Sequence, residues 1–174
     1  MEDGFQLSAK EFAMPIPEPD ARLRELDYFV GAWQAAGRFH ETPFGPAKPI
    51  AMRIVASSED RGFWRVVRTE ELPSADNPTP LTARYLWGYD AAAGEFVAEW
   101  FDSNGGRATQ RSAGWDGDRL AFLGAMTMGG YTVPLRDTFT RSGPDRYHHI
   151  GEVDLGGGWQ AVDDEDVTRV QPPR

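Results

Sequence analysis

The stretch LDYFVGAWQAAGRF, residues 26–39, changes its pattern at Gly31 and therefore sets the order of the elements. Before Gly31, apolar residues recur at helical spacing, and Asp20 is a residue type that caps helix N-termini. The residues predicted to share one helical face are Leu23, Leu26, Phe29 and Val30. Because glycine accepts positive φ and commonly follows a helix, a short helix is predicted from Asp20 through Val30.

After Gly31 the sequence is typical of short strands separated by turns, such as SNGG at 103–106 and LGGG at 155–158. This spacing predicts an all-β fold, an antiparallel up-and-down barrel of about ten strands. No long helical pattern interrupts the strands, which disfavours a doubly wound α/β fold. The predicted strands are 32–41, 48–57, 62–71, 82–89, 95–102, 107–115, 119–126, 131–141, 146–154 and 158–169.

One domain accounts for most of the chain, since 174 residues suit a single substantial core. Residues 1–19 are polar and punctuated by proline, so they are predicted to form an N-terminal arm. Residues 20–170 form the predicted barrel domain, and residues 171–174 a C-terminal tail.

Charge and composition exclude several function classes. Lys plus Arg number 18 and Asp plus Glu 27, giving 18 − 27 = −9, which argues against nucleic-acid binding and against anionic membrane surfaces. The chain has 0 Cys, so it offers no disulfide, thiol nucleophile or cysteine-ligated metal. The acidic N-terminus lacks the apolar core of a signal peptide, which favours a cytoplasmic protein. The oligomeric state stays open, a homodimer included.

A barrel of about ten strands is too wide to be filled by side chains alone, so a ligand cavity is expected. Alternation along the strands indicates which side chains share a face, although single aromatic residues are also typical of an ordinary core. The residues predicted to line the cavity are Tyr85, Trp87, Trp100, Phe122, Met126 and Tyr131. Such a wall favours a flat or elongated apolar ligand.

Polar candidates for the cavity lie on two late strands. Asp137 stands on an apolar face between Leu135 and Phe139. His148 and His149 follow each other on the next strand, so one imidazole faces the interior and the other faces outward. An even-length hairpin loop would place Asp137 near His148, and an odd-length loop would select His149. Either pair would couple a carboxylate to an imidazole, as acid–base chemistry or a structural hydrogen bond requires.

Two further groups of charged residues call for an interpretation. Arginines recur in the strands, and one of them could turn inward to meet a ligand carboxylate: Arg53, Arg65, Arg68, Arg84, Arg111 and Arg136. The acidic run at residues 163–166 splits two in and two out on a strand, so without a bulge it cannot converge on one ion. We expect a solvated strand end there and no metal site.

Three motifs in order carry a resemblance to a known family: LDYFVGAW (26–33), GYDAAAGEFVAEWFDSNGG (88–106) and SAGWDGDRLAF (112–122). They resemble an uncharacterised bacterial lipocalin-like domain family of the calycin superfamily, which includes fatty-acid-binding proteins and nitrobindin. The resemblance covers roughly residues 22–170. It implies a barrel closed at one end by the short helix, with a hydrophobic cavity, and no established activity. The family's usual closing basic pair is reduced here to Arg169.

Three functions follow as hypotheses. The first is binding of a small hydrophobic or aromatic molecule, with Asp137 and His148 or His149 as polar contacts. The second is a cyclase or isomerase of bacterial secondary-metabolite biosynthesis, acting by confinement plus one acid or base, with Asp137 and His148 as catalytic residues. The third is haem binding through a late-strand histidine, as in nitrobindin-like barrels; otherwise no cofactor is expected.

The Gly31-Ala32-Trp33 step is predicted to serve the fold. Gly31 ends the helix, and Trp33 is expected to pack under the barrel floor against the apolar face of the helix. Arg169 in the last strand is the candidate to stack on the indole of Trp33.

Overall fold

The structure, a computed structural model, describes residues 16–170. A 3₁₀ helix spans Ala21–Phe29, and a single 3₁₀ turn spans Asp60–Gly62. The strands are β1 (Gly31–Phe39), β2 (Lys48–Glu59), β3 (Trp64–Glu71), β4 (Thr82–Asp90), β5 (Glu95–Asp102), β6 (Arg107–Ser112), β7 (Trp115–Asp116), β8 (Arg119–Met128), β9 (Tyr131–Arg141), β10 (Arg146–Asp154) and β11 (Trp159–Arg169). In the described part of the chain, no helix has the length and apolar character needed to cross a membrane.

The predicted domain borders fall partly outside this range. Most of the predicted arm at 1–19 and the whole predicted tail at 171–174 lie outside the described residues. Residues 16–19 carry no regular secondary structure, and Ile16 is exposed.

Ten strands form a closed antiparallel barrel, as the sequence predicts. Each strand from β1 to β6 pairs with the next, β6 pairs with β8, and β8 to β11 continue the meander. The barrel closes where β1 pairs with β11, with Trp33 opposite Arg169. The two-residue strand β7 pairs with β8 outside this cycle. Closure leaves every long strand with two neighbours, so the barrel has no free edge.

The N-terminal helix closes one end of the barrel. The Asp20 carboxylate accepts a hydrogen bond from the Arg22 backbone N–H at 2.8 Å, and Leu23, Leu26 and Phe29 are buried. The element is a 3₁₀ helix that stops at Phe29, since Val30 is already extended at φ −62° and ψ 128°.

The step from helix to strand is fixed by Gly31 and Arg169. Gly31 has φ +132°, in the region that favours glycine, and a Cβ there would meet the Arg169 guanidinium. The Arg169 Cζ lies 3.9 Å from the centroid of the Trp33 ring. The same guanidinium donates hydrogen bonds to the Tyr28 and Val30 carbonyls, each at 2.8 Å. The Trp33 indole N–H donates to the Phe29 carbonyl at 2.7 Å. These contacts satisfy carbonyls at the end of the helix that would otherwise be orphaned.

Aromatic side chains fill the half of the barrel next to the helix. The registers Tyr85↔Trp100 and Trp87↔Ala98 place the predicted inward face of β4 against that of β5. Phe29 contacts both Trp87 and Phe139, with ring centroids 5.0 and 5.4 Å apart. Beyond this layer the barrel interior is not filled, and a cavity opens toward the other end.

Candidate functional site

The cavity has a volume of about 460 Å³ and extends from the aromatic layer to the open end of the barrel. Its deep wall includes Tyr85, Trp87 and Phe139, and its mouth is framed by the chain segments 42–48 and 76–81. This volume lies within the range of about 300–1,000 Å³ typical of small-molecule sites. The interior is therefore large enough for a ligand of moderate size.

Four of the six residues predicted to line the cavity do so: Tyr85, Trp87, Trp100 and Met126. Phe122 and Tyr131 require correction. Phe122 points inward but lies behind Trp87, its ring stacked on the indole at 5.6 Å, so it belongs to the packed layer. Tyr131 follows the Gly129-Gly130 turn and is 71% exposed, because it projects beyond the barrel rim.

The β9–β10 hairpin decides which histidine faces the interior. Arg141 pairs with Tyr147, so an odd number of residues, 142–146, lies between these two paired positions. His149 therefore shares the inward face with Asp137, and its imidazole stacks on Phe139 with ring centroids 4.6 Å apart. The prediction of His148 as a catalytic residue of the cavity is wrong, because its Nδ1 faces outward to Asp166 at 3.0 Å.

His149 lies at the centre of a buried polar cluster, which we call the His149 cluster: His149, Asp137, Asp163 and Glu165. The His149 Nδ1 is 2.7 Å from Glu165 Oε2 and 3.5 Å from Asp163 Oδ2, and its Nε2 is 3.0 Å from Asp137 Oδ1. Because both ring nitrogens face carboxylate oxygens, the imidazolium with two N–H donors fits the site best. The cluster then combines one positive charge with three acids.

The pKa values in the His149 cluster follow from burial and from the crowding of the acids. Burial by itself would lower the pKa of His149, but the charge of Glu165 and the hydrogen bonds to Asp137 and Glu165 outweigh it and raise that pKa well above its ordinary value. Burial, followed by the charge of Glu165, raises the pKa of the Asp163 carboxyl well above its ordinary value. Burial and the neighbouring carboxylates also raise the pKa of the Tyr85 hydroxyl.

The sequence interpretation missed Asp163 and Glu165 as interior residues. The expected solvated strand end is wrong for these two, whose side chains are only 19% and 2% exposed. Alternation does split the run, since Asp166 contacts His148 on the outside and Asp164 contacts His40 at the barrel mouth. Gly151 provided a signal in the sequence. It lies in β10 opposite Asp163 of β11, and a Cβ at this glycine would overlap the Asp163 carboxylate. Mid-strand glycine often marks such a close approach.

Gln110 was also missed, and it supports the cluster from strand β6 of the same barrel. Its side chain is 1% exposed, and its Nε2 donates to Asp137 Oδ2 at 2.7 Å. The Gln110 Oε1 has no hydrogen-bond partner within residues 16–170. No feature of the TQRS segment (109–112) distinguishes this inward glutamine from a surface residue in the sequence.

None of the arginines recurring in the strands lines the cavity. Arg65 does turn inward, but at the closed end, where its Nε donates to Asp27 at 2.8 Å and its Nη1 to the Gly62 carbonyl at 3.0 Å. The only ammonium or guanidinium group among the described lining residues belongs to Lys48, which holds Glu71 and Asn77 at 3.0 Å each. An inward arginine for a ligand carboxylate is therefore not among the described residues.

The residues of the His149 cluster set limits on cofactors. One ligand atom each from His149, Asp163 and Glu165 lie within 4.8 Å of one another, a spacing that can surround a small cation. Haem iron would need an imidazole nitrogen free to bind it. Both nitrogens of His149 are already engaged by carboxylates, and His148 faces outward, so these two residues do not fit a haem.

Comparison with known proteins supports the architecture. The fold is similar to that of a solved structure described as the crystal structure of Rv2717c from M. tuberculosis, with a TM-score of 0.69 and 13% sequence identity. The match covers 88% of this chain and 100% of that one. No protein-family model matches the chain, and no curated protein does either. At this identity the likeness establishes the antiparallel barrel fold and nothing finer.

Proposed function

We propose that this protein is a calycin-like barrel that binds a small hydrophobic or aromatic molecule in its cavity. The observation that carries the proposal is a space of about 460 Å³ with aromatic walls and one cluster of converging polar groups. Binding sites commonly combine an apolar wall with a few fixed polar contacts. The lining aromatics Tyr85, Trp87 and Trp100 supply the apolar wall, and His149 and Asp137 supply polar contacts. A cytoplasmic location and a homodimer remain predictions from the sequence.

The test uses a neutral fluorescent probe, N-phenyl-1-naphthylamine, whose emission rises in apolar surroundings. We expect saturable binding, and we expect Ala83→Phe to weaken it by about tenfold or more, because Ala83 lines the cavity and is buried. The matched control is Ala51→Phe on β2, where the side chain is exposed. Circular dichroism verifies that both variants fold. Equal probe affinity in wild type and in a folded Ala83→Phe variant would contradict the proposal.

A second candidate function is the cyclase or isomerase of secondary-metabolite biosynthesis. The observation that favours it is Asp163, a carboxyl that lines the cavity and whose pKa burial raises, so that it can hold a proton where an exposed carboxyl would not. Together with an enclosing wall, one such acid can catalyse a rearrangement by confinement and proton transfer.

Two experiments in sequence separate the two candidates. The first is native mass spectrometry of protein purified from its host. A retained small molecule gives the compound class for assays, and Asp163→Asn then distinguishes an enzyme from a binder. An enzyme loses turnover in this variant, whereas a binder has no turnover to lose. The control variant is His148→Ala, because His148 lies on the outer surface and should leave turnover and ligand binding unchanged.

A further inference from the structure

The cavity wall carries more acidic side chains than basic ones. Six lining residues carry carboxyl groups: Glu71, Asp76, Asp102, Asp137, Asp163 and Glu165. Against them stand the Lys48 ammonium and the imidazoles of His40 and His149. A cavity for fatty acids or other anions would need the opposite balance, with inward cations placed for a carboxylate.

Buried atoms without a hydrogen-bond partner also favour a ligand that donates hydrogen bonds. Among the described residues, three buried acceptor atoms in or next to the cavity wall have no protein partner, Glu71 Oε1, Asp102 Oδ2 and Gln110 Oε1, against one such donor in the wall, the Trp87 indole Nε1. The Glu71 side chain is 1% exposed, and its other oxygen already receives Lys48, Asn77 and the Leu81 N–H. Buried acceptors are costly when no donor reaches them. A ligand that brings donors into the cavity would relieve this cost.

Asp163 is the cluster carboxylate that lies farthest from His149. Its distance to the His149 Nδ1 is 3.5 Å, and that nitrogen already lies 2.7 Å from Glu165. Asp163 is also the most accessible of the three acids, since its side chain is 19% exposed, against 5% for Asp137 and 2% for Glu165. It is therefore the acid best placed to receive a ligand.

We propose that the cavity selects organic amines, with the ligand ammonium docked on Asp163 and its apolar body against the aromatic wall. This inference rests on the proposed binding function and names the ligand class. An ammonium supplies up to three donors and one positive charge. That charge would compensate the surplus of acids in the cavity wall. Indole and phenol faces such as those of Trp87, Trp100 and Tyr85 also attract cations.

The experiment compares three probes with the same ring system: 2-(2-naphthyl)ethylamine, 2-(2-naphthyl)ethanol and 2-naphthylacetate. Calorimetric titration at near-neutral pH should rank amine above alcohol and alcohol above acid, with about tenfold or more between amine and alcohol. Asp163→Asn should lower amine affinity by about tenfold and change alcohol affinity by less than about threefold. Unchanged alcohol binding also shows that the variant is folded. The matched control is Asp166→Asn on the same strand, whose side chain is 91% exposed.

Each result either supports or overturns the assignment. Equal affinity for amine and alcohol, or tighter binding of the acid, overturns the amine proposal while leaving the hydrophobic site intact. Binding of none of the three probes, the neutral one included, would remove the proposed function as well. A fourth titration uses Zn²⁺ alone. Binding of Zn²⁺ that Asp163→Asn abolishes, together with no preference for the amine, overturns the proposal and assigns the cluster to a metal ion.

Discussion

At the closed end of the barrel, the Trp33 indole, the Arg169 guanidinium and the Arg65 guanidinium all find partners between 2.7 and 3.0 Å away. At the cavity, the Gln110 and Glu71 side chains each keep one buried oxygen without a partner in the described part of the chain, and three acids share one imidazole. The three side chains named at the closed end are therefore paired, whereas two side chains at the cavity each keep an unpaired oxygen. Regions built for stability and regions built for binding commonly differ in this way.

The largest effect should come from removing the centre of the closed end. Trp33 is 1% exposed and contacts Tyr147 and Tyr28 in the aromatic layer. We expect Trp33→Ala to lower the free energy of unfolding by about 3–5 kcal/mol, through lost burial and a cavity left behind. Urea denaturation measures this loss. The control is Trp159→Ala, since Trp159 is 38% exposed and should lose much less. Equal losses in the two variants would contradict the assigned role of Trp33.

A smaller loss is expected at the contact that joins the last strand to the helix. Arg169→Met keeps much of the stem but removes the donors to the Tyr28 and Val30 carbonyls and the ion pair with Asp145 at 2.9 Å. We expect a loss of about 2–3 kcal/mol, because carbonyl groups lose their partners at the helix end. The comparison variant is Arg169→Lys, which keeps the charge but not the fork of donors, and it should recover only part of the stability. Full recovery by lysine would show that charge alone matters there.

Substitution of an acid in the cavity should raise the free energy of unfolding, in contrast to the two substitutions at the closed end. The pKa of His149 is raised, so its stabilising contribution is complete below its ordinary pKa and is lost as the pH rises through the raised value. The pKa of Asp163 is also raised, which means that folding favours its neutral form and stability again falls as the pH rises. Asp137 and Glu165 face the same space and contribute to raising the pKa values of His149 and Asp163. The pKa of the Tyr85 hydroxyl, which faces the same space, is raised as well.

We therefore expect Asp163→Asn to raise the free energy of unfolding by about 1–2 kcal/mol at about pH 9 and to change it little at about pH 5. Thermal denaturation across this pH range provides the measurement, with Asp166→Asn as the control on the outer face. A folded Asp163→Asn variant that loses stability most at alkaline pH would show that the ionised carboxylate is stabilising. That result would contradict the inference that the cavity holds more acidic groups than its basic groups can compensate.

The smallest effect is predicted beyond the rim. Tyr131→Ser should change stability by less than about 0.5 kcal/mol, since the side chain is 71% exposed. It should also leave binding of the neutral naphthylamine probe unchanged. Met126→Ala on the cavity wall provides the contrast, because Met126 is 6% exposed and lines the cavity. A clear loss of probe binding in Tyr131→Ser would show that Tyr131 contributes to the binding site.

The sequence determined the architecture because the relevant signals are local. Turn residues and period-two alternation specify strands one at a time, and consecutive antiparallel strands pair with their neighbours. The same local pattern predicted the inward side of β4 and β5 and the helix that ends before Gly31. Gly31 itself adopts the positive φ that its position suggested.

The chemistry of the interior was decided only by tertiary structure. Sequence alternation left His148 and His149 as equal alternatives, and the length of one hairpin loop selected His149. The sequence predicted a solvated strand end at Asp163 and Glu165, because a run of acids does not show which of its side chains face inward until the strand register is known. Barrel closure brings β6, β9, β10 and β11 around one space, and residues distant along the chain then share their charges. The balance of donors and acceptors in that space depends on all four strands together, so no local pattern contains it.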